Sequence, residues 1–175
     1  MAKPGSKQME TTAPTPSRPR MPKGYGIPPA KSENDYVPWS WAVERLERAR
    51  NYWIATTRPD GRPHLMPVWG VWVSGALYFG TDRGSRKARN VAHNPAMAAH
   101  VDIEDDAVIL EGMAREITDR STLAAVDRAY MKKYHMKLTD APGDSFFCEL
   151  RPTVIFAWSE KEFGKKATRF YSEVK

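Results

Sequence analysis

Short segments of β-prone residues, separated by turn-forming residues, dominate the middle of the chain. They occupy positions 54–57, 68–73 and 76–81, and the segments between them contain Pro59-Asp60-Gly61 and Ser74-Gly75. Proline presets φ, aspartate bonds to its own backbone and glycine adopts positive φ, so both intervening segments are predicted to be tight turns. The pattern therefore predicts three antiparallel strands joined by hairpins.

Further apolar segments predict the remaining strands. They lie at residues 96–101, 107–117 with Gly112 at a possible bulge, 146–150 and 153–158, with Arg151-Pro152 separating the last two. A cysteine, Cys148, lies among apolar neighbours and is predicted to be a buried hydrophobe rather than a nucleophile. Because it is the only cysteine, no intrachain disulfide is possible and a reducing compartment is expected.

Helical periodicity appears in three places. Ser40 is predicted to cap a first helix that buries Ala42, Leu46 and Ala49, with Glu44 and Arg48 paired one turn apart. A second helix begins at Ser85 and ends before Pro95, and a third runs from Thr118 or Asp119 to about residue 134, with Leu123, Val126, Ala129 and Tyr130 as its apolar stripe. About six strands and two or three helices predict a mainly β, α+β fold, a closed antiparallel barrel, because closure removes exposed strand edges.

Composition divides the chain into three parts. Residues 1–37 are rich in Pro, Ser, Thr, Lys and Gly and poor in bulky apolar side chains, which predicts a disordered or extended N-terminal arm. Residues 38–160 form the predicted barrel domain. Residues 161–175 are charged with interspersed aromatic residues, which predicts a C-terminal arm.

The net charge of +6 comes largely from these ends, and no basic stripe alternates with stacking aromatics, so nucleic-acid binding is not expected. No apolar run approaches the roughly 20 residues of a membrane span, and the N-terminus does not resemble a secretory signal. A cytoplasmic protein is predicted. The histidines are scattered without metal-binding spacing, and the motifs of Rossmann, P-loop and serine hydrolase sites are missing.

The start of the second helix carries candidate chemistry. Ser85 is a good N-cap, Gly84 permits close backbone approach, and Arg86 and Lys87 follow directly. Unpaired N–H groups, a hydroxyl and two cations suit a phosphate, because a helix N-terminus carries a partial positive charge. The alternative is a solvated basic helix start.

Three segments in order resemble one family. They are PDGRPHLMPVW at residues 59–69, ALYFGT at 76–81 and SRKARN at 85–90. They resemble flavin and deazaflavin oxidoreductases of the pyridoxamine 5'-phosphate oxidase-like, FMN-binding split-barrel superfamily. The resemblance covers about residues 39–158. It implies a six-stranded antiparallel split β-barrel, flanked by two or three helices, that forms a homodimer with two cofactor sites at its interface.

The resemblance also implies the cofactor-binding residues. Met66, Pro67, Val68 and Trp69 would lie against the ring, and Thr81, Ser85, Arg86, Lys87 and Asn90 would hold the phosphate and its linker. His64 borders the same site, as a substrate contact or an ordinary strand histidine. Because the ring itself does the hydride chemistry, no catalytic side chain is assigned.

The branch of the superfamily follows from where the sequence departs from true pyridoxamine phosphate oxidases. Their Arg-and-Lys motif on the second strand is replaced here by Met66-Pro67-Val68-Trp69, and their C-terminal arginine motif is absent. The Pro-Val-Trp and Ser-Arg-Lys runs resemble members that use coenzyme F420, whose anionic tail would suit a basic groove. The residues of such a groove are Arg58, Arg62, Arg83, Arg86, Lys87 and Arg89. The leading function is a coenzyme F420-dependent reductase of a small conjugated organic substrate, and the alternatives are an FMN-dependent oxidoreductase and a non-catalytic cofactor carrier.

Overall fold

The computed structural model describes residues 13–171. Residues 1–12 and 172–175 lie outside the described residues, and so do the parts of the two predicted arms that fall on them. The described strands are β1 (Thr15–Ser17), β2 (Asn51–Thr57), β3 (Pro63–Trp69), β4 (Val71–Val73), β5 (Ala76–Asp82), β6 (Ala96–Ile103), β7 (Asp106–Glu116), β8 (Ser145–Ser159) and β9 (Thr168–Tyr171). The helices are α1 (Trp39–Arg48), α2 (Arg86–His93), α3 (Arg120–Tyr134) and α4 (Phe163–Lys166), with 3₁₀ turns at Lys23–Tyr25, Glu33–Asp35, Leu138–Asp140 and Glu160–Glu162.

All strand pairs are antiparallel, and the long strand β8 organises them. The sheet runs in the order β1-β9-β8-β7-β6-β2-β3, while β5 pairs with the first half of β8 and β4 pairs with β5. One edge of β8 is therefore shared between β5 and β9. No ladder joins β3 to β5 among the described strands, so the sheet curls without closing. The mainly β, α+β fold is confirmed, whereas full closure of the barrel is wrong.

The predicted break at Arg151-Pro152 is also wrong. β8 continues through it as one strand, because a bulge absorbs the proline: Glu111 pairs with Val154 and Gly112 pairs with Pro152, leaving Thr153 as the extra residue. A Cβ on Gly112 would lie 2.1 Å from the Arg151 carbonyl oxygen. An irregularity of the ladder at Gly112 is confirmed, although the extra residue lies on β8 opposite it, and the close approach of the two backbones explains the glycine.

The predicted strand over residues 68–73 is instead divided at Gly70. A Cβ there would lie 2.9 Å from Leu77 and 3.1 Å from Tyr52, so the backbone is pressed against the core. Two tyrosines of α3 hydrogen-bond to the backbone at this break: the Tyr130 hydroxyl donates to the Trp69 carbonyl at 2.8 Å, and the Gly70 N–H donates to the Tyr134 hydroxyl at 3.0 Å. Contacts from a distant helix thus end β3 and begin β4.

The predicted turns form where local chemistry requires them. Gly61 has φ of +84°, and Ser74 and Gly75 have φ of +48° and +80°, as tight hairpin turns require. The Asp119 carboxylate accepts from the Thr122 N–H at 2.7 Å and caps α3. The helix cap predicted at Ser40 is wrong, since α1 already begins at Trp39, after Pro38.

The core has two parts. The curled sheet, α1 and α2 enclose the larger part, which includes the predicted residues Ala42, Leu46 and Ala49. The second part lies beneath α3, where Val126 and Tyr130 are buried. Cys148 is fully buried, as predicted, and burial raises the pKa of its thiol to about 12. Between residues 13 and 171, no helix is long and apolar enough to cross a membrane.

The segment before α1 contacts residues 167–171, near the C-terminal end of the described chain. β1 pairs with β9, and the Arg18 guanidinium donates to the Ala167 carbonyl at 3.2 Å. The Val37 N–H donates to the Thr168 hydroxyl at 2.8 Å, and both Val37 and Thr168 are buried. Residues on both sides of the barrel domain therefore contribute to one sheet.

Candidate functional site

The candidate site lies between strand β3 and the start of α2. β3 ends the sheet order, and the described part of the chain places no strand on its other edge. Of the four predicted ring-contact residues, Val68 is buried, while Met66, Pro67 and Trp69 are exposed. Unpaired backbone groups along an edge strand are free to bond a ligand. The Trp69 ring stacks on Tyr134, with centroids 4.9 Å apart and planes 5° from parallel.

Three predicted phosphate contacts form one hydrogen-bonded chain. The Lys87 ammonium donates to the Thr81 hydroxyl at 3.0 Å, and the Thr81 hydroxyl donates to the Ser85 hydroxyl at 3.1 Å. The Ser85 oxygen also caps α2, as predicted, by accepting from the Ala88 N–H at 3.2 Å. Because the Ser85 oxygen accepts both hydrogen bonds, the hydroxyl hydrogen of Ser85 remains available to a ligand. Two of the three ammonium hydrogens of Lys87 remain available as well.

Backbone donors point in the same direction. The loop before α2 is held by Asp82, whose side chain accepts from the Gly84 N–H at 2.7 Å and whose carbonyl accepts from the Ser85 N–H at 2.9 Å. The first two helical residues are Arg86 and Lys87, and their N–H groups have no partner inside a helix of this geometry. They add partial positive charge to that of the two side chains.

Within the described part of the chain, no carboxylate forms an ion pair with the cations at the start of α2. The ion pairs among residues 13–171 include none of Arg58, Arg86 or Lys87. Lys87 is half-buried, and this burial lowers the pKa of its ammonium. A bound anion would offset that cost, so the arrangement favours an anionic ligand.

Three of the six cations predicted to line a basic groove already have partners within the chain. Arg62 pairs with Asp60 at 2.7 Å, and Arg83 pairs with Glu116 at 2.5 Å and with Asp144 at 3.1 Å. Arg89 donates to the Gly84 carbonyl at 2.5 Å. Of the six, Arg58, Arg86 and Lys87 have neither a carboxylate nor a backbone carbonyl partner among residues 13–171, and Lys87 donates to the Thr81 hydroxyl.

His64 lies on β3 among these cations. Partial burial lowers the pKa of its imidazole, and the charges of Arg58, Lys87 and Arg86 lower it further. Burial and the three positive charges therefore disfavour the imidazolium form. Nδ1 of the ring lies 3.5 Å from the hydroxyl of Thr56, the residue opposite His64 on β2.

Asn90, predicted to touch the phosphate or its linker, is fully buried below this cleft, and its amide nitrogen donates to the Thr56 hydroxyl at 2.9 Å. Thr56 and Tyr134 contact the site but are not among the site residues predicted from the sequence. Nothing local distinguishes them: Thr56 reads as an ordinary strand residue and Tyr134 as the end of a helix.

The structure thus brings together Thr81, Ser85 and Lys87 by direct hydrogen bonds and sets Arg86 and His64 beside them. The open edge of β3 adjoins this cluster. Hydrogen-bond donors converge here with cations that form no ion pair among residues 13–171, while the nearby Asp82 carboxylate is bonded to the Gly84 N–H, and this arrangement suits a ligand carrying a phosphate. Neighbouring exposed backbone and the Trp69 ring suit a flat, partly apolar group.

Comparisons with known proteins agree with this architecture. The sequence profile described as pyridoxamine 5'-phosphate oxidase matches residues 41–159, from α1 to the end of β8. None of the curated proteins matches the chain. Among solved structures, an F420 reductase is 30% identical with a TM-score of 0.53, over 64% of this chain and 93% of that one.

Two other solved structures show the fold alone. A conserved hypothetical protein from Mycobacterium tuberculosis is 20% identical with a TM-score of 0.66, over 77% of this chain and 93% of its own. The haem storage protein HutZ from Vibrio cholerae is 17% identical with a TM-score of 0.55, over 62% and 85%. Because the profile covers more than half of the sequence and the whole curled sheet from β2 to β8, the chain belongs to the pyridoxamine 5'-phosphate oxidase family.

Proposed function

We propose that this protein binds the deazaflavin coenzyme F420 in the cleft between β3 and α2 and reduces a small conjugated organic substrate with it. The observation that carries the proposal is the Lys87–Thr81–Ser85 chain beside cations that have no carboxylate partner among residues 13–171. The 30% identical F420 reductase supports the choice of cofactor.

The residues fit a phosphate-bearing cofactor. Ser85, Arg86 and Lys87 would hold the phosphate through a hydroxyl, two backbone N–H groups and two cations. The backbone of β3 from Met66 to Trp69 would hydrogen-bond the polar edge of the ring. When bound, the deazaflavin supplies hydride transfer.

A further cation, Arg58, would act on the acidic end of the cofactor. It lacks an acidic partner in the described chain and would attract the anionic tail that coenzyme F420 carries and FMN lacks. Arg62 and Arg83 would contribute less, because their charges are already paired with carboxylates. This difference favours the deazaflavin over FMN.

Lys87→Ala tests the site. Loss of a charge-assisted contact of about 1.5 to 3 kcal/mol should weaken binding of coenzyme F420 about ten- to a hundredfold, measured by fluorescence titration. Arg62→Ala is the matched control, because Arg62 is exposed and already paired with Asp60. Equal affinities for wild type and Lys87→Ala would contradict the phosphate assignment.

Competition on the wild type tests the cofactor. Coenzyme F420, FMN and haem are titrated against the same protein, and we expect the deazaflavin to bind most tightly. Preference for FMN would replace the proposal with an FMN-dependent oxidoreductase, and preference for haem would overturn it. Tight binding of coenzyme F420 without turnover of any conjugated substrate in a panel would indicate a carrier.

A further inference from the structure

Three polar side chains form a line from the core to the cleft. Asn90 on α2 is 0% exposed, Thr56 on β2 is 3% exposed, and His64 on β3 is half-buried. The Asn90 amide nitrogen is 2.9 Å from the Thr56 hydroxyl oxygen, which is 3.5 Å from Nδ1 of His64. Only the last of the three borders the candidate ligand site.

The donor and acceptor roles in these contacts decide which ring nitrogen of His64 carries the hydrogen. The Asn90 amide nitrogen donates to the Thr56 oxygen, and within the described residues Nδ1 of His64 is the acceptor left for the single hydrogen of the hydroxyl. A hydroxyl that donates to Nδ1 requires the ring hydrogen to be on Nε2. A hydrogen bond from a neighbouring side chain to one ring nitrogen commonly sets the tautomer of a functional histidine.

The surroundings disfavour the imidazolium, and only the neutral ring has a tautomer to select. The charged groups that act on His64 are Arg58, Lys87 and Arg86, all positive, and they oppose a further cation. An imidazolium would donate from both nitrogens and need no tautomer selection. The neutral ring donates from one nitrogen only.

The buried amide of Asn90 is only partly satisfied by hydrogen bonds. Its amide oxygen is buried without a hydrogen-bond partner in the part of the chain that the structure describes. An unpaired buried acceptor destabilises a fold, so packing alone does not account for an amide at this position. Among the described residues, the side-chain amide of Asn90 makes one hydrogen bond, which is the one to Thr56.

We propose that Asn90 and Thr56 are positioning residues that hold neutral His64 as the Nε2–H tautomer, so that it donates a hydrogen bond to an oxygen atom of the bound ligand. The identity of that ligand rests on the proposed function, whereas the tautomer is a property of the ligand-free protein. Asn90 therefore acts on the ligand through two other side chains.

The tautomer is measured directly. Ligand-free protein labelled with ¹⁵N-histidine is observed by long-range ¹H–¹⁵N correlation above the pKa of His64, and His64→Gln assigns its signals. We expect Nδ1 to be unprotonated and Nε2 protonated. The reverse pattern in the wild type would overturn the proposal, because it would mean that Thr56 donates to Asn90 and accepts from the imidazole.

Matched variants separate positioning from packing. Thr56→Val keeps the shape and removes the hydroxyl, so the tautomers should mix, while Thr56→Ser restores the hydroxyl and should restore the wild-type spectrum. Thr57→Val, the same change one residue along β2, is the control and should leave His64 unchanged. An unchanged spectrum in Thr56→Val would also overturn the proposal.

Binding adds a second measurement. Loss of one oriented hydrogen bond should weaken coenzyme F420 about two- to tenfold in Thr56→Val and not in Thr56→Ser. If the wild type has the expected tautomer and binds no cofactor, the proposed function fails and the positioning of His64 stands. If cofactor binds and Thr56→Val shows the same affinity as Thr56→Ser, the donated hydrogen bond is refuted.

Discussion

Lys133, at the end of α3, is a cation enclosed by aromatic rings. Its ammonium donates to the Gly70 carbonyl at 3.0 Å and to the Tyr52 hydroxyl at 3.2 Å, and it lies 4.9 Å from the Tyr52 ring centroid. Burial lowers the pKa of this ammonium to about 8, opposed weakly by Glu47. The residue joins the helix to the break between β3 and β4, beside the exposed Trp69 ring.

This burial predicts a pH-dependent stability. Between pH 8 and about 10.5 the unfolded lysine still binds a proton that the folded one has lost, so the free energy of unfolding should rise with pH through that window. We expect the difference in unfolding free energy between wild type and Lys133→Met to increase from pH 8 to 10, measured by urea denaturation. Buried tyrosines titrate in both proteins alike and cancel. Lys132→Met, the same change at an exposed neighbour, is the control. A difference in unfolding free energy between wild type and Lys133→Met that does not change with pH would contradict the assignment.

At the residue scale, the sequence identifies the site where its parts are close along the chain. Ser85 and Lys87 lie within one helical turn, and Thr81 immediately precedes the loop, so local pattern and resemblance both point to them. Thr56 is 34 positions from Asn90, and only the register of β2 with β3 brings it to His64. Arg62 looks like a free cation until its bond to Asp60 is seen.

Among the elements, β7 and β8 form the longest ladder, and its bulge depends on one glycine. Gly112→Ala would put a methyl group 2.1 Å from the Arg151 carbonyl oxygen and 2.6 Å from the Pro152 Cα, both backbone atoms. Because backbone cannot rotate away as a side chain can, we expect a loss of about 3 kcal/mol in unfolding free energy. Gly164→Ala in α4 is the control, since nothing lies within 4 Å of its Cβ position and alanine favours a helix. A Gly112→Ala variant as stable as Gly164→Ala would refute the close approach.

The sequence predicts the end of a helix or strand correctly when neighbouring residues determine that end. Gly61 and Asp119 act on neighbouring residues, and the turn and helix cap form as predicted. The break at Gly70 depends on Tyr130 and Tyr134, about 60 residues away, and the continuity of β8 through Pro152 depends on Gly112 of the paired strand. Long-range contacts of this kind leave no local pattern.

At the scale of the whole molecule, the outer face of the sheet is unusually apolar. Trp53 on β2 is 44% exposed and lies between Pro67 of β3 and His100 of β6. Leu65, 56% exposed, lies next to it on the same face. Exposed apolar side chains on adjacent strands are typical of an interface, and this face continues to the edge of β3 that borders the candidate site. We propose that a second copy of the chain covers it.

Trp53→Glu tests this dimer and its link to the site. A charge buried between two copies should weaken association at least about tenfold, because an unpaired buried charge is strongly unfavourable. We expect wild type to sediment as a dimer at micromolar concentration and Trp53→Glu as a monomer. Tyr25→Glu is the control, since Tyr25 is 59% exposed and lies in the segment before α1 rather than on β2 or β3. If the sites lie at the interface, the monomeric variant should also lose affinity for coenzyme F420 while Lys87→Ala stays dimeric. A monomeric wild type would refute the dimer, and a monomeric variant with wild-type affinity would place the whole cofactor site within one chain.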